Sequence, residues 1–433
     1  MPLDLHPSIS YTMDANGHHD YVSVRRDCWT MPLYEIEWGG FLTNHISHGK
    51  WALTAIGAPT TLVQHFRALY ASRLTALPPL ATPRSLDVWR AETAAGVYLP
   101  PDPPAAAALA EAGVAALRGQ RREYAAQRAF FARKIAEGGA DAALRRWLPE
   151  LLPGLAGAAL HPVIHLAVGL REGDVALLAE GLAYLNHSYL ELVGGVAGPS
   201  RGRAHPAERY VEEALAGQPA PPVATSGRFQ RAMAGLMSDD DSAAALRYAA
   251  SELKMQEERM LDRAVRLYVG QAKNDYFLLH AVTASWALGV VLSSAAGLQL
   301  PAHARAEAVQ ALAIAAAAAA WIQGVKACNV APRQGAAGPR VALAAAQVAI
   351  AALNAEREPR NEHVYKLVAV AAEKLRELAE EPPAGEVDEV SSDWADAIAM
   401  VMSGDFSGRG IGEKPTAKAD LGDASASMHQ VAV

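Results

Sequence analysis

The spacing of apolar residues constrains the fold of this chain more than any other feature. After residue 40, apolar side chains recur every three or four positions, which is the spacing of one face of an α-helix. No segment alternates apolar and polar residues long enough to predict a β-strand. The predicted helices lie near residues 41–57, 59–76, 104–136, 141–151, 162–170, 173–193, 206–215, 227–237, 241–269, 274–296, 303–330, 340–354, 361–380 and 389–403.

Proline-containing breaks separate these helices without dividing the chain into two domains. Residues 99–104 (LPPDPP) form one such break, and proline ends helices because it lacks the amide proton. Alanine is abundant and aromatic residues make up only 6%, which favours close helix packing. We predict an all-α fold, a large bundle-like single domain of stacked antiparallel helices. It comprises an irregular N-terminal arm (1–40), a helical catalytic domain (41–403) and a flexible C-terminal tail (404–433).

Composition excludes several classes of protein. A net charge of -7 leaves no basic surface for nucleic acid or anionic lipid, so we expect neither as a partner. Residues 311–325 are apolar but too short and alanine-rich to span a bilayer, which predicts a buried helix. Two cysteines, Cys28 and Cys328, cannot form a disulfide framework, and no signal-peptide pattern opens the sequence. We therefore expect a cytoplasmic protein, and the 51% apolar content permits a homodimer.

Several histidines lie on faces that the helical spacing would bury. The face at residues 41, 45, 48, 52 and 55 reads Phe, His, His, Ala and Ala, which predicts that His45 is buried, and His48 with it. Proline is favoured in the first turn of a helix, so Pro162 predicts that His161 lies just before a helix and His165 inside it. The remaining candidates on apolar helical segments are His161, His165, His280 and His363.

These histidines have two interpretations. Imidazole binds Fe, Zn, Cu and Ni, and helical bundles build metal sites from inward side chains of several helices. Alternatively, each ring is a core histidine bonded to a neighbouring carbonyl. The sequence has no Glu-x-x-His, His-Glu-x-x-His or paired-cysteine motif and no dinucleotide or phosphate loop, which argues against a carboxylate di-iron site, a zinc protease and a built-in dinucleotide domain. An imidazole-rich site suits Fe(II) or another late transition metal.

Lys366 follows His363 by one helical turn and is an unusual neighbour for such a site. An ammonium cannot coordinate a metal and is costly to bury without a partner. If Lys366 faces the histidines, it must be neutral, carboxylated or paired with an acid such as Glu362. A carboxylated lysine would supply an anionic oxygen ligand, with the Thr283 hydroxyl beside it as a hydrogen-bond partner. Alternatively, the stem packs while the ammonium reaches solvent.

Four short segments together resemble the questin oxidase-like family. They are Asn44-His45 with residues 51–58 (WALTAIGA), then 161–166 (HPVIHL), 276–283 (YFLLHAVT) and 363–366 (HVYK). The segments occur in the family's order and span roughly residues 34 to 380. The resemblance implies an all-helical enzyme that uses dioxygen to oxidise polyketide-type aromatic rings, including anthraquinone ring opening with a Baeyer–Villiger outcome.

The resemblance also implies a set of site residues, an aromatic substrate and O2. The implied metal ligands are His45, His161, His165, His280 and His363 with Lys366, and Thr283 and Lys366 are the implied catalytic residues. Fe(II) is the expected metal, and NADPH is compatible as an external reductant. Two positions depart from the family pattern. Ser47-His48 stands where an apolar residue such as methionine is expected, and this change alters the pocket or adds a ligand. Arg171-Glu172 interrupts an expected Gly-Leu-Glu run and affects local helix packing.

Two other functions fit the same residues. A zinc-dependent hydrolase or lyase would use the same imidazoles without consuming oxygen. A metal-free helical protein could bind a hydrophobic small molecule and use the histidines only as hydrogen-bonding groups.

Overall fold

Helices account for most of the described protein, a computed structural model. The described residues are 34–38, 42–72, 74, 109–120, 123–192, 233, 236, 240–270, 274–323, 338–380, 387–404 and 406–407. The helices are α1 Ile46–Ala55, α2 Thr60–Ala71, α3 Glu111–Ala116, α4 Tyr124–Gly138, α5 Ala140–Leu151, α6 His161–Glu172, α7 Val175–His187, α8 Asp240–Glu252, α9 Met260–Val269, α10 Tyr276–Ser293, α11 Ala302–Gln323, α12 Pro339–Asn354, α13 Glu362–Glu380 and α14 Val387–Met402. The structure confirms the all-α class.

Local sequence explains where the site-bearing helices begin. Asp275 precedes α10, and its carboxylate accepts hydrogen bonds from the backbone N–H groups of Phe277 and Leu278, both at 2.9 Å. These bonds satisfy N–H groups that have no partner within the helix. Helix α6 begins at His161 with Pro162 in its first turn and ends before Gly173, which adopts a φ of 63°. Proline is tolerated in the first turn of a helix, and glycine readily adopts the left-handed conformation that follows its last turn.

Two predicted helices are each two helices in the structure. The segment predicted at 104–136 contains α3 and α4, and the residues between them include Gly119, with a φ of 73°, and Glu123, with a φ of 53°. The segment predicted at 241–269 contains α8 and α9, and Lys254 between them has a φ of 48°. A left-handed residue interrupts the helical hydrogen bonds, although apolar spacing continues across it.

Two pairs of short strands accompany the helices, although the sequence predicts no strand. Strand β1 (Glu37–Trp38) pairs antiparallel with β2 (Leu42–Thr43), just before α1. Strand β3 (Asn274–Asp275) pairs parallel with β4 (Phe406–Ser407), just before α10. Each strand is two residues long, too short to show an alternating pattern. The predicted arm and tail at 1–33 and 408–433, and the predicted helix at 206–215, lie outside the described residues.

Four helices form a closed ring at the centre of the protein. Helix α1 packs against α6 and α13, and α10 also packs against both α6 and α13. Ion pairs join the ring at its surface: Arg171 pairs with Glu373 between α6 and α13, and Lys50 Nζ lies 2.8 Å from Glu172 Oε2 between α1 and α6. The departure at Arg171-Glu172 therefore supplies ion pairs from α6 to two other helices of the ring.

Two helices, α10 and α11, are long and apolar enough to cross a membrane by length and composition alone. Their most apolar stretches are 78% and 72% buried inside the protein. Such burial is typical of core helices, and alanines 315–320 of α11 are almost fully buried against their neighbours. The prediction of a buried helix at 311–323 is confirmed, whereas residues 324 and 325 lie outside the described range.

Candidate metal centre

Histidines of α6, α10 and α13, together with His45 at the N-cap of α1, form a single buried cluster. His45 Nε2 lies 2.7 Å from His161 Nε2, which lies 3.0 Å from His280 Nε2, which lies 3.0 Å from His363 Nε2. One nitrogen from each ring lies within 4.8 Å of the corresponding nitrogens of the other three. All four side chains are buried. Residues more than 300 positions apart therefore converge on one point, as the metal interpretation requires.

The outer ring nitrogens of two members show which nitrogen faces the cluster. His161 Nδ1 lies 2.6 Å from the backbone oxygen of Ala158, and His280 Nδ1 lies 2.6 Å from that of Tyr276. A carbonyl only accepts hydrogen bonds, so both Nδ1 atoms donate. In a neutral ring the proton is then on Nδ1, and Nε2 has a bare lone pair.

His363 is oriented by the residue two positions before it. Asn361 Oδ1 accepts the backbone N–H of His363 at 3.0 Å and lies 2.7 Å from His363 Nδ1. The amide oxygen therefore accepts from Nδ1 as well, and His363 Nε2 is left without a proton.

His45 is oriented by Tyr70 of α2. The Tyr70 hydroxyl donates to the Thr43 carbonyl at 3.1 Å, so it accepts from the backbone N–H of His45 at 3.1 Å and from His45 Nδ1 at 3.0 Å. The Glu362 carboxylate lies beside two of the rings, with Oε1 3.3 Å from His45 Nδ1 and 3.4 Å from His363 Nδ1. All four Nδ1 atoms thus have acceptors outside the cluster.

The four inner nitrogens consequently present lone pairs to one another. Burial lowers the pKa of His45, His280 and His363 well below the usual range and lowers that of His161 to about 3, so the rings are neutral at physiological pH. Facing lone pairs at 2.7–3.0 Å repel unless a cation lies between them. The arrangement that is unfavourable for four free histidines is the one that a metal ion stabilises.

The spacing of the nitrogens suits a transition metal. Two nitrogens bound at right angles to a metal about 2.1 Å away lie about 3.0 Å apart, and at the tetrahedral angle they lie about 3.4 Å apart. The three measured separations are closer to the first value. An all-imidazole set with outer hydrogen-bond acceptors matches the ligand preferences of Fe, Zn, Cu and Ni.

Lys366 is buried in the second turn of α13. Its side chain is 1% exposed, and Nζ has no hydrogen-bond partner among the residues that the structure describes. Burial lowers the Lys366 pKa to about 7, against a smaller opposing effect of Glu362. The alternative in which the ammonium reaches solvent is therefore wrong, because Nζ itself is buried.

Thr283 and His165 are buried near the cluster but have other partners. The Thr283 hydroxyl lies 3.3 Å from the carbonyls of Leu279 and His280 in its own helix. His165 Nδ1 lies 3.1 Å from His48 Nε2, and its Nε2 lies 3.2 Å from Glu180 Oε2. The structure brings four of the five predicted ligand histidines together and places the fifth, His165, behind His48.

Sequence reasoning missed three residues that orient the cluster: Tyr70, Asn361 and Glu362 as an acceptor for two rings. Tyr70 occupies an ordinary apolar position of α2, with nothing in its spacing to distinguish it. Asn361 gives a weak signal, since asparagine before a helix is a common cap. In the sequence, Glu362 stands out only as an acid close to Lys366.

The fold and site define an all-helical protein with a buried four-histidine cluster that could hold a metal ion. Over residues 42–371 the sequence matches the questin oxidase-like family, and the chain belongs to that family. All four histidines lie within the matched range. A comparison with curated proteins gives no match.

Proposed function

We propose that this protein is a non-haem, iron-dependent oxidoreductase that uses O2 to oxidise or open an aromatic ring of the polyketide or quinone type. Membership of the questin oxidase-like family supports an oxygen-using activity on aromatic polyketides. The observation that carries the metal requirement is the set of four bare Nε2 atoms facing one another inside the ring of helices. Iron bound there would supply the redox chemistry that lets O2 react with a closed-shell aromatic molecule.

The protein's own residues would hold the ion and protect the reaction. His45, His161, His280 and His363 would bind the ion, and the acceptors behind them keep each ring in the correct tautomer. The four ligand side chains are buried among helices, which limits side reactions of oxygen-derived species with water. The Phe277 ring packs near His280, with centroids 6.3 Å apart, and gives the site an aromatic wall.

Lys366 would add an anionic ligand if its nitrogen is carboxylated. A neutral, unpartnered amine can attack CO2, forming an N–C bond and releasing one proton. The carbamate product is negative and its two oxygens accept hydrogen bonds, which suits both a nearby cation and the N-terminal end of α13, where the backbone dipole favours anions. The Thr283 hydroxyl would hydrogen-bond this group by turning from its helix carbonyls. This assignment gives Lys366 and Thr283 their roles at the site.

The electron balance determines whether a reductant is required. A dioxygenase outcome places both oxygen atoms in the product and needs no other electrons. A monooxygenase outcome reduces one atom to water and needs two electrons, which an external donor such as NADPH would supply. A cytoplasmic location, with its reduced nucleotides, fits either outcome.

Metal analysis of the purified full chain, followed by anaerobic titration with Fe(II), tests the proposal. We expect one ion per chain, lost in His161→Ala and His363→Ala because each removes a buried ligand. His303→Ala is the matched control, since His303 is exposed at the start of α11 and should leave the stoichiometry unchanged. Repeating the titration with and without bicarbonate tests the contribution of a carboxylated Lys366.

Oxygen uptake then separates the candidate functions. Anaerobic mixing of the iron-loaded protein with a hydroxyanthraquinone, followed by oxygen, should consume O2 and bleach the quinone absorbance. Bound zinc with no oxygen uptake would instead indicate a hydrolase or lyase. A chain that takes up no metal, and whose ligand binding survives His280→Ala and His363→Ala, would be a small-molecule-binding protein and would rule out the oxygenase.

A further inference from the structure

A line of buried polar residues leads from the four-histidine cluster to Arg128, which is itself buried. His48 lies beside the cluster, with its ring centroid 5.2 Å from that of His45 and 6.4 Å from that of His161. From His48 the line continues through His165 on α6 and Glu180 on α7 to Arg128 on α4. The family match and the proposed metal site account for none of these contacts.

The direction of each hydrogen bond in this line follows from its outer end. Arg128 Nη1 lies 3.4 Å from Glu180 Oε1, and a guanidinium only donates. The paired carboxylate of Glu180 only accepts, so His165 Nε2 carries the proton in its 3.2 Å bond to Oε2. With its ring proton on Nε2, His165 has a bare Nδ1, which accepts from His48 Nε2 at 3.1 Å.

The inner end of the line is therefore an acceptor. With its proton on Nε2, the neutral His48 ring has a lone pair on Nδ1. His48 is 0% exposed, and Nδ1 has no hydrogen-bond partner within the described part of the chain. A buried acceptor without a donor is costly, and such atoms in native proteins usually await a ligand or water. The Lys366 Nζ, which also has no partner among the described residues, acts electrostatically on the same ring.

We infer that His48 Nδ1 accepts a hydrogen bond from a hydroxyl group of the aromatic molecule bound beside the metal centre. The inference deepens the proposed function and rests on it, since it takes the ligand's aromatic character from there. It makes His48 a specificity-determining residue that selects a phenolic compound over the corresponding ether. His165, Glu180 and Arg128 are positioning residues that set the polarity of His48. The competing interpretation is a buried water molecule that donates a hydrogen bond to His48 Nδ1.

Binding of two ligands to the full chain under argon tests the inference. The ligands are 2-hydroxyanthraquinone and 2-methoxyanthraquinone, compared by quenching of tryptophan fluorescence at a pH that keeps the phenol protonated. The hydroxyl at this position is too far from the quinone oxygens to bond internally, so it is free to donate. We expect the wild-type protein to prefer the hydroxy compound by about tenfold or more.

Two variants should abolish that preference by different routes. His48→Met removes the acceptor. Glu180→Gln keeps His48 but reverses the direction of the hydrogen bonds. The amide oxygen must accept from Arg128, so the amide N–H group donates to His165 Nε2. The proton of His165 then moves to Nδ1 and donates to His48 Nε2, and His48 Nδ1 becomes a donor. A donor at His48 Nδ1 can hydrogen-bond to the hydroxyl oxygen of one ligand and to the ether oxygen of the other, so the preference is lost. Glu373→Gln, at a surface ion pair, is the matched control and should keep the preference.

Iron content, measured on every variant, separates this inference from the proposed function. A wild-type preference that survives in Glu180→Gln, or in a folded His48→Met, would indicate water at Nδ1 and overturn the inference. So would wild-type protein that does not bind the hydroxy compound, or loss of iron in His48→Met, which would make His48 a ligand. Iron binding without the preference would overturn only the hydroxyl assignment, whereas the preference without iron or oxygen uptake would overturn only the oxygenase.

Discussion

At the scale of single residues, the site depends on hydrogen bonds behind the histidines as much as on the histidines themselves. Tyr70 shows this most clearly, because its one hydroxyl accepts both the backbone N–H and the Nδ1–H of His45 while donating to Thr43. The three bonds leave the hydroxyl no freedom to donate to His45. Tyr70 therefore fixes the His45 tautomer from a different helix.

Replacing Tyr70 by phenylalanine should weaken metal binding. The change leaves His45 Nδ1 with only Glu362, at 3.3 Å, to hold the ring. Loss of such an outer partner typically lowers metal affinity about 10-fold to 100-fold, and we expect the lower end because Glu362 remains. Anaerobic Fe(II) titration measures the change, with the half-exposed Tyr248→Phe as control. Equal affinities for the two variants would show that Tyr70 does not orient His45.

At the scale of elements, the segment that leads into α6 departs from ordinary backbone geometry. Ala158, Ala159 and Leu160 have φ angles of 48°, 52° and 70°, all in the left-handed region. This conformation costs an L-residue about 1–2 kcal/mol. The turn nevertheless aims the Ala158 carbonyl at His161 Nδ1, which follows immediately. Backbone strain of this kind is typical of functional sites.

Glycine at position 159 should cost much less than glycine within the adjoining helix. Ala159→Gly relieves left-handed strain, which offsets the buried methyl that it loses, whereas Ala167→Gly in α6 loses a buried methyl and about 1 kcal/mol of helix propensity. We expect Ala159→Gly to be at least about 1 kcal/mol more stable than Ala167→Gly. Urea unfolding of both variants provides the comparison, and the opposite order would mean that the turn stores no strain.

At the scale of the whole molecule, the fold buries many groups that would be charged in water. The pKa of His161 falls to about 3 and that of Lys366 to about 7, in both cases chiefly through burial. The folded metal-free protein therefore binds fewer protons than the unfolded chain over two pH ranges. Stability is lost as pH falls from about 6.5 toward 3 through the histidines, and as it falls from about 10.5 toward 7 through Lys366.

The free energy of unfolding of the metal-free protein should consequently rise between about pH 7 and pH 10, by an amount on the order of 3 kcal/mol. Lys366→Met should remove most of this rise, because methionine keeps the packing without a titrating group. Lys374→Met, on the same helix but paired with Glu377, should retain it. Urea unfolding with a chelator present measures each curve. A flat wild-type curve in this range would contradict the burial of an unpaired Lys366.

By itself, the sequence determined the helical class, most helix boundaries and the burial of His48, His161, His165, His280 and His363, because apolar spacing records which face of a helix turns inward. His45 is also buried, but at the N-cap of α1 rather than on the predicted helical face. Local chemistry also explains helix starts such as that at Asp275. Only the tertiary structure decided that His165 stands behind His48, that Lys366 is sealed from solvent, and that Tyr70 and Glu362 orient the ligand rings. Those outcomes depend on which faces of distant helices meet, and periodicity within one helix carries no information about its neighbour.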